Sequence, residues 1–189
     1  MAKALDQAEK LADTKDEKVN VMFMRGVMLE RQKKMPEAEA EFRRVLAIDP
    51  ENASALNYLG YMFADENIRL DEAQRFIQRA LDQEPNNGAY LDSLGWVYFH
   101  MNRLDDAERQ LLRSVQFMSK DPTIHDHLGD VYFKQGKIKD AISQWQASLN
   151  EWNSSAPGDK EPDEIAKVHK KLEGARIRLA KEQGPHRSE

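Results

Sequence analysis

The chain has 189 residues, 40% of them apolar and 32% charged, with a formal net charge of −5. That balance supplies a core and excludes global disorder, while a net negative chain lacks the clustered Lys and Arg that displace counterions from a phosphate backbone, which excludes nucleic acid as a general partner. There is no cysteine, hence no disulfide, thiolate metal site or cysteine nucleophile, and no apolar run nears the roughly 20 residues of a membrane-spanning helix.

In chain order, the first element covers residues 1–18. Its Met1–Gln7 start lacks the apolar core of a signal peptide. The spacing Ala4-x-x-x-Ala8-x-x-Leu11 puts three apolar residues on one helix face. It reads either as the second helix of a hairpin whose first helix lies upstream, or as an N-terminal cap. Four helical hairpins are then expected, over residues 19–52, 53–87, 88–121 and 122–158, the last including a loop.

Two small residues keep these hairpins in register. Gly26, Gly60, Gly95 and Gly129 fall 34, 35 and 34 residues apart, and Ala38, Ala73, Ala107 and Ala141 follow them at offsets of 12, 13, 12 and 12. Three of the glycines share one frame: Leu56-x-x-Leu59-Gly60-x-x-Phe63, Leu91-x-x-Leu94-Gly95-x-x-Tyr98 and His125-x-x-Leu128-Gly129-x-x-Tyr132. Glycine inside a helix costs about 1 kcal/mol relative to Ala, a cost that makes sense where a neighbouring helix must come close. The alanines open the partner stripes: Ala38-x-x-x-Phe42-x-x-Val45, Ala73-x-x-x-Ile77-x-x-Ala80, Ala107-x-x-x-Leu111-x-x-Ser114 and Ala141-x-x-x-Trp145-x-x-Ser148.

Turns between the two helices are expected at Lys34-Met35-Pro36-Glu37, Glu66-Asn67-Ile68-Arg69, Met101-Asn102-Arg103 and Gln135-Gly136-Lys137. Connections this short make the two helices antiparallel. Pro50 and Pro85 stop the second helices of the first two hairpins. In the third, Pro122 stands three positions later than that rule would place it, so its second helix is expected to run longer.

After the loop Asn153–Asp159, the residues Ile165, Val168, Leu172, Ala175 and Leu179 form one narrow stripe, with Lys167, Lys170, Lys171, Glu173, Arg178 and Lys181 on the other face. A stack of hairpins needs a terminal helix with a polar outer side. Residues 159–189 are therefore read as a capping helix over 162–183 and a tail; a dimerising coiled-coil strand is the weaker alternative, because the stripe lasts barely two heptads.

The frame resembles the tetratricopeptide repeat, in which a large or aromatic residue, Leu-Gly, Tyr, Ala, an aromatic and Pro recur within 34 residues. The resemblance covers residues 19 to 153. It departs in the first repeat, where Met22, Arg25 and Leu29 stand for a large aromatic, Leu and Tyr, and in the second, whose turn has one extra residue. Tyr90–Tyr98 is similar to repeats near the C-terminus of long bacterial proteins of this family, which implies a piece of a longer chain. The compartment stays open, cytoplasmic or periplasmic/envelope.

The resemblance implies an all-α, right-handed superhelical solenoid whose concave side is lined by positions 2, 5, 9, 12 and 13 of each first helix. Counted from Val19, Ala53, Gly88 and Pro122, that lining includes Phe23, Val27, Asn57, Tyr61, Asp92, Trp96, Phe99, Asp126, Asp130 and Phe133. Aromatics with a polar edge give large contact area at little entropic cost, and the acids add negative charge. A peptide or protein segment with apolar and basic side chains is the expected occupant; the alternative is that Tyr61 and Trp96 pack on their own neighbours. The carboxylate clamp of chaperone-binding relatives would fall on Phe23, Val27, Tyr58, Ala89 and Ser93, none of which is a clamp residue.

Chemistry is not expected. His125 and His127 are two apart on a helix and point in nearly opposite directions, and Asp126 with Asp130 at i, i+4 makes a poor cation site alone. The pairs Lys33-Lys34 and Lys170-Lys171 read as solvated charge. No phosphate-cradling or nucleophile motif is present, so no catalytic, metal or cofactor role is assigned. An adaptor is the expected function, with self-association through the N-terminal half repeat, or service as a regulatory segment of a larger enzyme, as alternatives.

Overall fold

The computed structural model describes residues 2–182; Met1 and residues 183–189, the end of the tail read above, lie outside the described residues. Among the described residues there are ten α-helices, one 3₁₀ turn at Pro157–Asp159 and no strand. The chain falls into two units, Met1–Pro85 and Asn86–Glu189. The first holds α1 (Ala2–Leu11), α2 (Lys15–Arg31), α3 (Met35–Ile48), α4 (Ala53–Asp65) and α5 (Leu70–Gln83). The second holds α6 (Gly88–His100), α7 (Leu104–Phe117), α8 (Pro122–Lys134), α9 (Ile138–Ser154) and α10 (Pro162–Glu182). Helices pair as hairpins, α2 with α3 and α4 with α5 in the first unit, α6 with α7 and α8 with α9 in the second.

The register of small residues has a steric cause. A methyl group built on Gly26 would lie 2.7 Å from Phe42, one on Gly95 2.7 Å from Leu111, and one on Gly129 2.6 Å from Trp145. Ala38, Ala73, Ala107 and Ala141 are fully buried beside these contacts. Each hairpin is thus closed by a large side chain seated on a bare patch of the facing helix.

The turns repeat as closely as the helices. Lys33, Asn67, Asn102 and Gly136 all have positive φ, at 58°, 53°, 59° and 78°. The following residue donates its N–H five residues back: Lys34 to Leu29 O, Ile68 to Phe63 O, Arg103 to Tyr98 O and Lys137 to Tyr132 O, at 2.8–3.0 Å. These are Schellman caps, which satisfy carbonyls the helix end would leave unpaired. A cation then folds over the aromatic ring at the capped position: Arg69 on Phe63 at 3.7 Å, Arg103 on Tyr98 at 4.3 Å and Lys137 on Tyr132 at 5.2 Å. In the first hairpin Leu29 offers no ring.

Two sequence expectations need correction. The first turn lies at Gln32–Lys34, ahead of Met35 and Pro36; the proline sits in the first turn of α3, where its missing N–H costs nothing. The second helix of the third hairpin is not longer: α7 has 14 residues, as α3 and α5 do. Pro122 instead starts α8, behind Asp121, whose carboxylate accepts from the N–H groups of Thr123 and Ile124.

The departure at Arg25 is compensated by charge. Arg25 is half-buried beside Gly26 and bonds Glu9 at 2.6 Å and Asp6 at 3.2 Å, both on α1. Arg44 of α3 also reaches Glu9. In the second unit α10 covers α9 with Val168, Leu172 and Ala175, which join Trp145, Leu149, Ile138 and Ala141 in one core.

Candidate peptide-binding face

The expected lining residues sit on the first helices of the hairpins: Phe23 and Val27 on α2, Asn57 and Tyr61 on α4, Asp92, Trp96 and Phe99 on α6, and Asp126, Asp130 and Phe133 on α8.

In the first unit, Phe23 is half-buried in an aromatic cluster, edge-on to Phe42 at 5.6 Å and to Tyr58 at 5.3 Å. Tyr58 stacks on Phe42, and burial pushes its hydroxyl pKa up. Asn57 is 8% exposed and its Oδ1 meets no hydrogen-bond donor in the structure. A buried carbonyl oxygen left this way costs roughly 1–3 kcal/mol. Tyr61 is half-buried one helical turn further on.

In the second unit the candidate residues converge. Asp92 is buried, and its Oδ1 lies 2.9 Å from Nδ1 of His127 on α8. The His127 ring lies flat against Trp96, with centroids 4.0 Å apart. Phe99 covers the indole in a second stack, at 4.8 Å and 3°, and His100 meets it edge-on at 4.7 Å. Lys134 stands 4.6 Å above Phe99. Trp96 is therefore held between α6 and α8 by its own neighbours, and it is half-exposed. Its Nε1 is buried and meets no acceptor in the structure.

The acidic pair is engaged as well. Nζ of Lys171 on α10 bonds Asp126 at 2.9 Å through both carboxylate oxygens and Asp130 at 2.7 Å. Burial and the nearby Asp126 raise the pKa of Asp130, against the pull of Lys171. Burial works against the charge of Lys171, but the two carboxylates outweigh it and raise its pKa. Contrary to the expectation from its place on the polar face, Lys171 is not a solvated charge.

His125 is half-buried and bonded at both ring nitrogens, to Gln144 at 2.8 Å and to the Ser119 carbonyl at 3.0 Å. Among the described residues no group of three or more His, Cys, Asp or Glu is placed to hold a metal ion, and no helix is long and apolar enough to cross a membrane. Of the absent clamp positions, Ser93 is buried with its hydroxyl donating to Ala89 O. Sequence reasoning misses the two partners that organise this face, His127 and Lys171. For His127 the available signal is its place 35 residues after Asp92, one repeat and one residue on; for Lys171 there is none.

A family model described as tetratricopeptide repeat matches residues 2–53 and 64–123. A TPR repeat-containing protein of Pseudomonas aeruginosa is 38% identical over 53 residues, which are 28% of this chain and 9% of the relative. Among solved structures, the Cut9–Hcn1 hetero-tetramer of the APC/C aligns with a TM-score of 0.81 at 21% identity, over 94% of this chain and 34% of that one. TTC0263, a TPR protein of Thermus thermophilus, gives 0.71 at 17% identity, over 92% and 87% of the two chains. YrrB, described as a TPR protein with an unusual peptide-binding site, gives 0.62 at 19% identity, over 97% and 87%. These likenesses show the fold, an all-α array of helical hairpins with a capping helix, and that fold serves protein–protein interaction. The chain belongs to the tetratricopeptide repeat family.

Proposed function

We propose that the chain is a protein- or peptide-binding adaptor that holds its partner on the faces presented by its first helices. The observation that carries this reading is the cluster around Trp96. Two aromatic side chains and two histidines converge between α6 and α8, yet Trp96 and Phe99 stay half-exposed. A rigid aromatic platform left half-exposed suits a segment that brings an apolar side chain. An extended peptide brings such a side chain at alternate residues.

The partner binds without a carboxylate clamp, because the matching positions carry Phe23, Val27, Tyr58, Ala89 and Ser93. Its apolar side chains contribute most of the affinity; basic ones meet acids that already have cations. The test is selection of peptide ligands from a display library, followed by affinity measurement with Trp96→Ala and Tyr61→Ala. Losses of about tenfold or more per substitution are expected. Unchanged affinity in both variants overturns the reading.

Self-association is a second reading, favoured by Leu11, which is 70% exposed at the end of α1. Light scattering over a concentration series decides it: a monomer at every concentration removes it.

A further inference from the structure

Lys171 has no evident task in folding α10. The helix is already anchored on α9 by Val168, Leu172 and Ala175, all buried in the core they share with Trp145 and Leu149. From that anchored helix the Lys171 side chain leaves the core and crosses to α8, where Nζ makes three bonds, two to Asp126 and one to Asp130. Three is the full donor capacity of an ammonium group. Both acids belong to the α8 positions assigned to the partner, so the chain puts one of its own lysines where a partner's basic side chain would go.

The energetics favour exchange over permanent closure. A largely buried ion pair gains little net stability, because desolvation of the two charges offsets most of their attraction. Removing the cation with no replacement is costly, since Asp126 and Asp130 would face each other with a burial that already raises the pKa of Asp130. Replacing one ammonium by another leaves the carboxylates satisfied throughout and changes little. The surrounding charges point the same way. Asp92 is taken by His127, so a new cation that seeks Asp126 and Asp130 meets Lys171 there.

We infer that α10 is an intramolecular competitor: Lys171 occupies the acidic seat of α8, and a lysine-bearing partner segment binds there by displacing it. This rests on the adaptor reading above and adds its regulation. Access for basic partners is set by the Lys171 contact, while apolar recognition at Trp96 and Phe99 is not.

The experiment uses the full chain and two measurements. Brief treatment with an amine-acetylating ester, read by peptide mass spectrometry, compares Lys171 with Lys170, its exposed neighbour; Lys171 is expected to react about tenfold more slowly, as a bonded, shielded ammonium does. Fluorescence anisotropy then measures a labelled penta-lysine amide against wild type, Lys171→Met, and Lys171→Met combined with Asp126→Asn and Asp130→Asn. Methionine keeps the unbranched stem and removes the charge. Lys171→Met is expected to bind the probe about tenfold tighter than wild type, equivalent to removal of one competing contact, and the added Asn substitutions to abolish the gain. Equal probe affinity in wild type and Lys171→Met, or Lys171 acetylated as fast as Lys170, overturns the inference. If Lys171→Met does not fold, Lys171→Gln takes its place in the anisotropy measurement, with the same outcomes. The two readings fail separately: indifference of selected peptides to Trp96→Ala sinks the adaptor face, and indifference of penta-lysine to Lys171→Met sinks the competitor.

Discussion

The indole of Trp96 and the imidazole of His127 lie 4.0 Å apart and within 12° of parallel, and the same imidazole is bonded to Asp92 at 2.9 Å. One residue of α8 therefore carries both a stack and a charge-assisted bond to α6. Its protonation state sets how firmly the third and fourth hairpins are joined.

That state gives a pH dependence. Burial opposes the charge on His127, but the Asp92 carboxylate outweighs it, with Asp126 and Asp130 adding, and the net pKa stands above the ordinary 6.5. A histidine raised on folding stabilises fully below its unfolded pKa, and the contribution is lost as pH rises through the folded value. Lys171 faces the same acids from α10 and stays charged throughout this range. The urea midpoint of the protein is expected to be highest near pH 6 and to fall toward pH 9. Asp92→Asn should cost about 1.5–3 kcal/mol at pH 6, the range for a hydrogen bond to a charged group, and flatten the slope. A slope as steep in Asp92→Asn as in wild type would remove His127 as its source.

Two glycines should respond to alanine with opposite signs. A Cβ on Gly129 meets the Trp145 indole at 2.6 Å, and a flat ring wedged between helices has no room to retreat. Gly129→Ala is expected to cost about 1–3 kcal/mol by overpacking. Gly174 lies inside α10, and a methyl group there would find nothing within 4 Å, so Gly174→Ala should gain about 0.5–1 kcal/mol from helix propensity alone. Urea unfolding of both variants checks the pair. A neutral Gly129→Ala would mean that the hairpin is not set by that close approach.

Ser114 and Ser148 occupy the same repeat position and are both fully buried, but only one hydroxyl has a partner. Ser114 Oγ donates to Gly88 O at 2.7 Å, tying α7 to the start of α6, whereas Ser148 Oγ meets none. Ser114→Ala removes the tie between α7 and the start of α6 and should cost about 1 kcal/mol, while Ser148→Ala should be neutral or stabilising by a similar amount. Ala80 shows that alanine is accommodated at this position. Differential scanning calorimetry of both variants tests the contrast, and equal losses of melting temperature would refute it.

The hairpins are legible in the sequence because their cause is local and repeated. Gly95 facing Leu111, or Gly129 facing Trp145, is one small residue and one large residue a fixed distance along the chain, and periodicity alone reveals it. The Schellman caps are half legible: turn residues mark the place, but proline at 36 draws the first turn too far along, since proline at a helix start reads much like proline in a loop. Pro122 misleads for the same reason. The caps Asn52, Asn87 and Asp121 each sit one residue before a first helix, and their spacing carries information that the repeat frame alone does not use. The candidate face is the least legible. Its positions follow from the repeat frame, but Lys171 comes from a helix after an irregular loop, 45 residues from Asp126, where no period links the two.

The last expectation concerns acid. Glu39 on α3 bonds Arg69 through both oxygens, at 2.8 and 2.5 Å, and Arg43 at 2.8 Å. The Arg69 hydrogen bonds lower its pKa most, burial works against them and Arg43 assists, leaving it at about 2 instead of 4.5. A carboxylate depressed on folding stabilises above its unfolded pKa, and that contribution disappears as pH falls from 4.5 to 2. The site is open enough to water that screening holds its worth to about 1 kcal/mol. Glu39→Gln should therefore melt below wild type at pH 7, with the gap closing as pH approaches 2. Arg69 gives the pair its geometry: it is held at φ 47° in the turn before α5, with its guanidinium on the Phe63 ring, so the fork is fixed where it meets the carboxylate. Arg69→Lys keeps the charge but loses the planar fork, and should give up most of the same stability. If Arg69→Lys melted like wild type while Glu39→Gln did not, charge alone would account for the pair and the stacked geometry would be incidental.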